Sequence, residues 1–242
     1  MTSYSDAEAA ALYDVLNPWS ADSDFYLPLV LAAEAVLDVG CGTGTLLHRA
    51  RQEGHTGRLC GIDPDRAMLA RACRRDDIEW EETTAAGMTW ESEFALAVMT
   101  GHAFQMLVSD DELRASLAAI RRALVPGAHF VFETRNPLAR AWEEWTPAHG
   151  FDVVDPAGRT VHIAYEVEAV VGDVVTLTET TRGADGERLR QDRASLRFLE
   201  VDSLHDFLAD AGFVVEAQYG DWERAPLTPT SQEIIIVARA SG

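Results

Sequence analysis

Apolar residues recur along this chain in two rhythms that change near residue 151. Before that point, short, largely apolar runs at 36–39, 59–62, 94–100 and 129–134 have the length and density of strands covered on both faces, and a further strand is expected to centre on 78–82. Helical periodicity separates them. Residues 6–16 place Leu12, Val15 and Leu16 on one face ahead of the Asn17-Pro18-Trp19 break, and 25–33 form a second helix leading into the first strand. Leu46, Leu47 and Ala50 begin another helical face, 65–74 are amphipathic through Met68, Leu69 and Ala72, and 110–124 carry acids in the first turn and arginines in the last. This strand–helix alternation predicts a doubly wound, largely parallel sheet.

From residue 151 the period shortens to two. Val161, Ile163, Tyr165, Val167 and Ala169, then Val175, Leu177 and Glu179, then Arg193, Ser195 and Arg197 read as antiparallel strands, turned at Gly172-Asp173 and Ala184-Asp185-Gly186. A helix over 202–211, ended by Gly212, returns the chain to the main sheet, which strands at 213–219 and 233–238 close as an antiparallel edge hairpin. With 242 residues and no linker, repeat or low-complexity tract, the expectation is one elaborated domain. Its core is 1–146 with 198–242, and 147–197 form a β insertion placed to cap a substrate pocket.

The first strand runs straight into three glycines at alternate positions, Gly40, Gly42 and Gly44. Glycines are needed where backbone approaches a ligand closely or φ is positive. Nineteen residues after Gly44 the second apolar run ends in Asp63, where the second strand of a βαβ unit presents a carboxylate to ribose hydroxyls. That spacing suits either a nicotinamide dinucleotide or an adenosyl cofactor. The loop itself decides: it reads G-x-G-x-G, not the G-x-G-x-x-G that sets a helix N-terminus against a pyrophosphate, and Asp38 lies two places before the first glycine. An acid there suits a cofactor with a cationic amino-acid end and no phosphate.

Over these residues the chain resembles the class I S-adenosylmethionine-dependent methyltransferases, through LDVGCGTG (37–44) and GIDPDRAML (61–69), with further likeness at 94–107, 121–133 and 204–213. The resemblance implies a Rossmann-like, doubly wound, seven-stranded sheet, mostly parallel with an antiparallel C-terminal hairpin, and S-adenosylmethionine as cofactor. Carried onto this sequence, the cofactor residues are Asp38, Gly40, Cys41, Gly42, Thr43 and Gly44 in the first loop, Asp63, Pro64 and Met68 after the second strand, and Thr100, Gly101 and His102 after the fourth. Tyr13 resembles an N-terminal tyrosine that some members direct at the cofactor carboxylate. Thr84 departs from the family, which commonly has an aspartate there for the adenine amino group. Backbone at Ala85, with Gly87 or Met88 nearby, is the expected substitute.

The charge balance narrows the acceptor. Forty acidic against 20 basic residues give a net charge of −20, which opposes binding to a polyanion, so nucleic acid is not an expected partner. All 20 basic residues are arginines, so no lysine amine is available as base or Schiff-base nucleophile. Cys41, Cys60 and Cys73 lack the spacing of a paired metal motif, and no metal is expected. All three read as buried small residues in a reducing compartment. Neither a signal sequence nor a membrane span is visible, and a cytoplasmic protein is the expectation.

The reading is therefore a methyltransferase of a small molecule, directed at O or N, acting by in-line displacement. The alternative is a catalytically silent cofactor-binding subunit, and a nicotinamide oxidoreductase ranks third. Two residues are candidates for proton transfer. His102 lies just past the fourth strand, where its imidazole could act as base or pack as a wall, and Glu133 ends the fifth strand, where anchoring Arg135 is the simpler role. Trp19, Phe104, Gln105, Trp142 and Trp222 are candidate acceptor contacts, each weighed against simple packing, as is Trp145. Arg135 and Arg197 could offer a fork to an acidic acceptor, but ion pairing with the chain's own carboxylates is the default for such arginines.

Overall fold

A computed structural model describes residues 4–241. In chain order it comprises α1 (Asp6–Leu16), α2 (Ala21–Ala32), β1 (Ala35–Val39), α3 (Thr45–Gln52), β2 (Arg58–Asp63), α4 (Arg66–Ala72), β3 (Glu79–Glu82), β4 (Phe94–Met99), α5 (Asp110–Ala123) and β5 (Leu124–Arg135). Then follow β6 (Phe151–Val154), β7 (Thr160–Val171), β8 (Val174–Gly183), β9 (Arg188–Arg197), α6 (Val201–Asp210), β10 (Phe213–Tyr219) and β11 (Glu233–Ala240). Seven strands form one sheet in the order β10-β11-β5-β4-β1-β2-β3, and β6-β7-β8-β9 form a second, antiparallel sheet. Within the first sheet β1 to β5 are parallel to one another, while β11 pairs antiparallel with both β5 and β10.

Alternation along the buried strands divides the core between two faces. Leu37, Val39, Phe130, Phe132, Ile234 and Ile236 face α5 and α6, where Leu113, Leu117, Ile120, Leu204 and Leu208 are fully buried. Val36, Leu59, Val98, Val131 and Ile235 face α2 and α3 through Phe25, Tyr26, Val30, Leu47 and Ala50. Two local differences from the sequence pattern have plain causes. β5 begins five residues earlier than expected because α5 passes into it without a loop, and Gly127 at φ +82° and a register shift opposite Phe94/Leu96 accommodate the join. α2 begins at Ala21 instead of residue 25 and continues through Pro28.

α1 does not lie with one apolar face on the core. Its Leu12 and the preceding Tyr4 pack on Val161 and Ile163 of β7, so Val15, expected on the buried face, is 39% exposed. A Ser5–Glu8 capping box starts the helix. Tyr4 donates its backbone N–H to Leu189 O, and Asp6 and Glu8 pair with Arg190 and Arg159. The N-terminal segment is thereby fastened to the second sheet. Cys73 also departs from expectation: it follows the last turn of α4 and is exposed, whereas Cys41 and Cys60 are buried.

Phe132 is fully buried and stacked between Phe104 and Phe130, with ring centroids 4.3 and 4.7 Å away. Phe132→Ala is expected to lower stability by about 3–5 kcal/mol, read from urea denaturation monitored by circular dichroism.

Candidate functional site

The parallel strands end at one edge of the sheet, and a cavity of about 440 Å³ opens there. Its walls are the β1–α3 loop (Gly40, Gly42), the end of β2 and start of α4 (Asp63, Pro64, Asp65, Met68), the β3 end (Thr83, Thr84, Ala85), the β4 end (Thr100, Gly101, Ala103) and Tyr13 of α1. Gly40 and Gly42 have φ of +75° and +54°, and a Cβ on Gly40 would come within 2.9 Å of Ala103 Cβ. Gly44, also at +75°, starts α3, and a Cβ there would overlap the Trp80 ring. This loop is held in place by Asp63. Its Oδ2 accepts from Gly42 N at 2.9 Å and its Oδ1 from Asp65 N at 2.8 Å, which leaves a lone pair on each oxygen towards the cavity.

Beneath the loop lie carboxyl groups with little water. Asp38 is 1% exposed, its Oδ1 has no hydrogen-bond partner, and burial, reinforced by the charges of Asp63 and Glu133, pushes its pKa up to about 8. Burial also raises Asp63, against the two backbone N–H bonds that favour its ionised form. Glu133 is 1% exposed and raised by burial. It accepts from the Tyr26 hydroxyl and, at 2.8 Å, from His102 N. Glu133 thus anchors the His102 loop, in which His102 takes a left-handed φ of +59°, and it does not bond Arg135. The His102 ring meets Glu233 instead, Nε2 to Oε2 at 2.9 Å.

The residues read from the sequence separate into three groups. Tyr13, Gly40, Gly42, Asp63, Pro64, Met68, Ala85, Thr100 and Gly101 line the cavity, and Asp38 lies directly below it. A second group supports the cradle from behind: Cys41 packs against Leu69, Ala72 and Trp80, and Thr43 donates to Asp14 Oδ1 at 2.5 Å. Asp14 also accepts from Arg71 at 2.6 Å, so one carboxylate ties α1 to the glycine loop and to α4. A third group lies elsewhere. Met88 is 1% exposed in the core facing α5, Gly87 is on the exposed side of the turn capped by Thr84, and His102 does not reach the cavity wall.

The acceptor candidates are mostly packing residues. Phe104 is buried against Phe132, Trp222 packs on Phe25 and Tyr26, and Trp19 donates to Asp24 beneath Arg49. Trp142 and Trp145 pack on Phe198. None of the four tryptophans lines the cavity. Gln105 is fully buried, donating to Arg197 O and accepting from Arg135 Nη1. Sequence reasoning missed Asp65, Thr83, Ala103, Met106 and Glu112 in the cavity wall, although all follow strand ends on the carboxyl edge.

A second cavity, a groove of about 670 Å³ between α1 and the second sheet, shares Tyr13, Asp65 and Met68 with the first. Asp6, Asp152, Glu179 and Asp192 line it, with Arg190 as its one arginine, and Arg190 is already paired with Asp6 and Asp192. Glu179, on β8, lies opposite Tyr165 of β7 and Asp192 of β9. Burial raises its pKa, and no arginine or histidine pairs with it among the described residues.

The chain is similar to known methyltransferases. Residues 36–127 match the model of a methyltransferase domain. The cypemycin N-terminal methyltransferase of a Streptomyces species is 26% identical over 86% of this chain and 83% of its own. The ubiquinone biosynthesis O-methyltransferase of Pseudomonas entomophila is 34% identical over 45% of this chain and 48% of its own. Among solved structures, the S-adenosylmethionine-bound amino pentose methyltransferase CalS10 of Micromonospora echinaspora superposes with a TM-score of 0.72 at 22% identity, covering 100% of this chain and 99% of that one.

The Asp38 carboxyl makes a prediction about stability. Unfolded, it ionises near pH 4, whereas folded it stays protonated until about pH 8. Its contribution to folding is therefore full below pH 4 and is lost as pH rises through 8. Asp38→Asn is expected to raise the melting temperature of the ligand-free protein at pH 8.5 and leave it nearly unchanged at pH 4.5, by differential scanning fluorimetry.

Proposed function

Because residues 36–127 form a methyltransferase domain of the S-adenosylmethionine-dependent class I type, we propose that this enzyme methylates an amine nitrogen on a small molecule bound between α1 and the second sheet. The observation that carries this reading is the groove's shared wall with the cofactor cavity at Tyr13, Asp65 and Met68, together with its acidic lining. Carboxylates whose only arginine is already paired favour a cationic group beside them.

The residues present fit the cofactor. Asp63 has oxygens left for two ribose hydroxyls, the glycine loop leaves room for close backbone approach, and the unpartnered Oδ1 of Asp38 suits the electrostatics of a cationic amino end. Tyr13, Gly40, Gly42, Asp63, Pro64, Met68, Ala85, Thr100 and Gly101 would hold it, with Thr83 and Thr84 at the adenine end in place of the family's aspartate. Bound there, S-adenosylmethionine supplies an electrophilic methyl group open to in-line displacement.

The chain's own residues supply position and exclusion of water. α1, tied down through Asp14, covers the cradle, and the second sheet caps the acceptor. Well-oriented reactants can gain about 7–11 kcal/mol from positioning alone. An amine reacts as the free base, and Glu179, with its raised pKa and its face to the groove, is placed to take the proton that an ammonium sheds. Glu133 holds the His102 loop from a buried position that lines neither cavity, so its role in this reading is positioning.

Transfer of labelled methyl from S-adenosylmethionine to matched primary amines, alcohols and thiols tests the reading. Amines alone should be labelled, and Glu179→Gln should lower kcat by about 10²–10⁴ if it is the base. Labelling of alcohols in preference to amines would overturn the nitrogen assignment. His102→Gln is expected to lower kcat by less than about tenfold, the result for a residue that shapes the loop without exchanging a proton. A larger loss, with an altered pH profile and unchanged cofactor affinity, would make His102 the base.

A further inference from the structure

Arg135 and Arg197 look alike in the sequence, but the structure treats them differently. Arg197 is clamped by Asp173 and Asp110, both at 2.7 Å. Arg135 has no carboxylate within ion-pair distance among the described residues, in a chain with twice as many acids as bases. Its one hydrogen bond runs from Nη1 to Gln105 Oε1 at 2.8 Å. The nearest cross-strand carboxylate, that of Glu233 directly opposite on β11, is engaged with His102 Nε2.

The guanidinium is nevertheless held in one pose. Gln105 is fully buried and fixed by its own bond to Arg197 O, so it can only present its oxygen to Arg135, which has no acceptor to offer. The Trp145 ring stacks on the guanidinium, with the Arg135 Cζ 5.3 Å from its centroid. Burial lowers the pKa of Arg135 despite the nearby negative charges, as expected of a cation whose desolvation is not offset. It lies two residues beyond Glu133 on the same strand face and lines neither cavity itself, but its charge acts on Tyr165, which lines the groove.

Deepening the amine reading and resting on it, we propose that the free edge of the Arg135 guanidinium binds a carboxylate of the acceptor, so that the substrate carries an anionic carboxylate as well as the amine to be methylated. The rigid fork matches a planar carboxylate in two parallel hydrogen bonds. A phosphate dianion is disfavoured by Glu133 and Glu233 close by. In this role Arg135 decides specificity and takes no part in bond making. Arg135 is half-buried with no carboxylate partner among the described residues, and Gln105 and Trp145 fix it in a pose that leaves the rest of the fork for a ligand.

The test uses binding, not turnover, so it is independent of which atom is methylated. The enzyme saturated with S-adenosylhomocysteine is titrated calorimetrically with benzoate, benzamide and inorganic phosphate. Benzoate should bind and the isosteric benzamide should bind about 10–100-fold more weakly, the value of a charge-assisted pair. Arg135→Gln should abolish that preference while S-adenosylhomocysteine affinity is kept and the melting temperature stays at or above wild type. Gln105→Leu, which frees Nη1 and lets the fork swing, should weaken benzoate with a smaller effect. Equal binding of benzoate and benzamide, no benzoate binding, or a benzoate affinity unchanged in Arg135→Gln would each overturn the proposal. Phosphate binding in preference to benzoate would overturn the carboxylate assignment. Failure of the amine panel with a positive benzoate result would refute the nitrogen reading and leave the carboxylate site standing.

Discussion

Burying carboxyl groups is the constraint around which the functional edge is built. Asp38, Asp63 and Glu133 are each 9% exposed or less, and burial raises all three, with the charges of Asp63 and Glu133 adding to the effect on Asp38, in a chain already at −20. No lysine is available, and among the described residues no arginine bonds any of the three. Compensation comes from backbone N–H groups: those of Gly42 and Asp65 for Asp63, and that of His102 for Glu133. Aiming those groups requires left-handed backbone at Gly40, Gly42, Gly101 and His102. The glycine loop and the strained His102 therefore serve the carboxylates as much as they serve a ligand. Of the three, Asp38 is the one left with an unpartnered buried oxygen.

Much of this edge could be read from the sequence because its signals are local. Gly40, Gly42 and Gly44 follow a strand directly, and Asp63 ends the next one, so spacing alone placed the loop against the carboxylate. Asp14 and Thr43 are 29 residues apart, and nothing local says that they meet. The same holds for the groove. Its acids come from α1, β6, β8 and β9, and strand register alone brings Glu179 and Asp192 side by side.

Aromatic residues misled for a related reason. A tryptophan in a connecting segment can line a pocket or fasten a segment down, and the partner decides which. Trp142 and Trp145 meet Phe198, and Trp222 meets Phe25, so each spends its area on packing. Met88 follows a short turn that carries its side chain back under α5 into the core. The two arginines show the limit most clearly. Arg197 finds Asp173 in a hairpin turn and Asp110 at a helix start, whereas Glu233, opposite Arg135, is drawn to His102.

α1 and the start of α4 are common to both cavities, through Tyr13 on one side and Asp65 and Met68 on the other. Tyr13 and Val15 present adjacent faces of α1 to the two cavities, and the helix is secured at one end by the second sheet and near the other by Asp14. With the acceptor in the second cavity as proposed, a wall that moves when either ligand binds would link donor and acceptor binding. Any settling of the helix that tightens the fit on one side alters the affinity on the other, and reciprocity fixes the factor as the same in both directions. Cooperativity between the two ligands thus needs no remote pathway, because the communicating element is the partition between them.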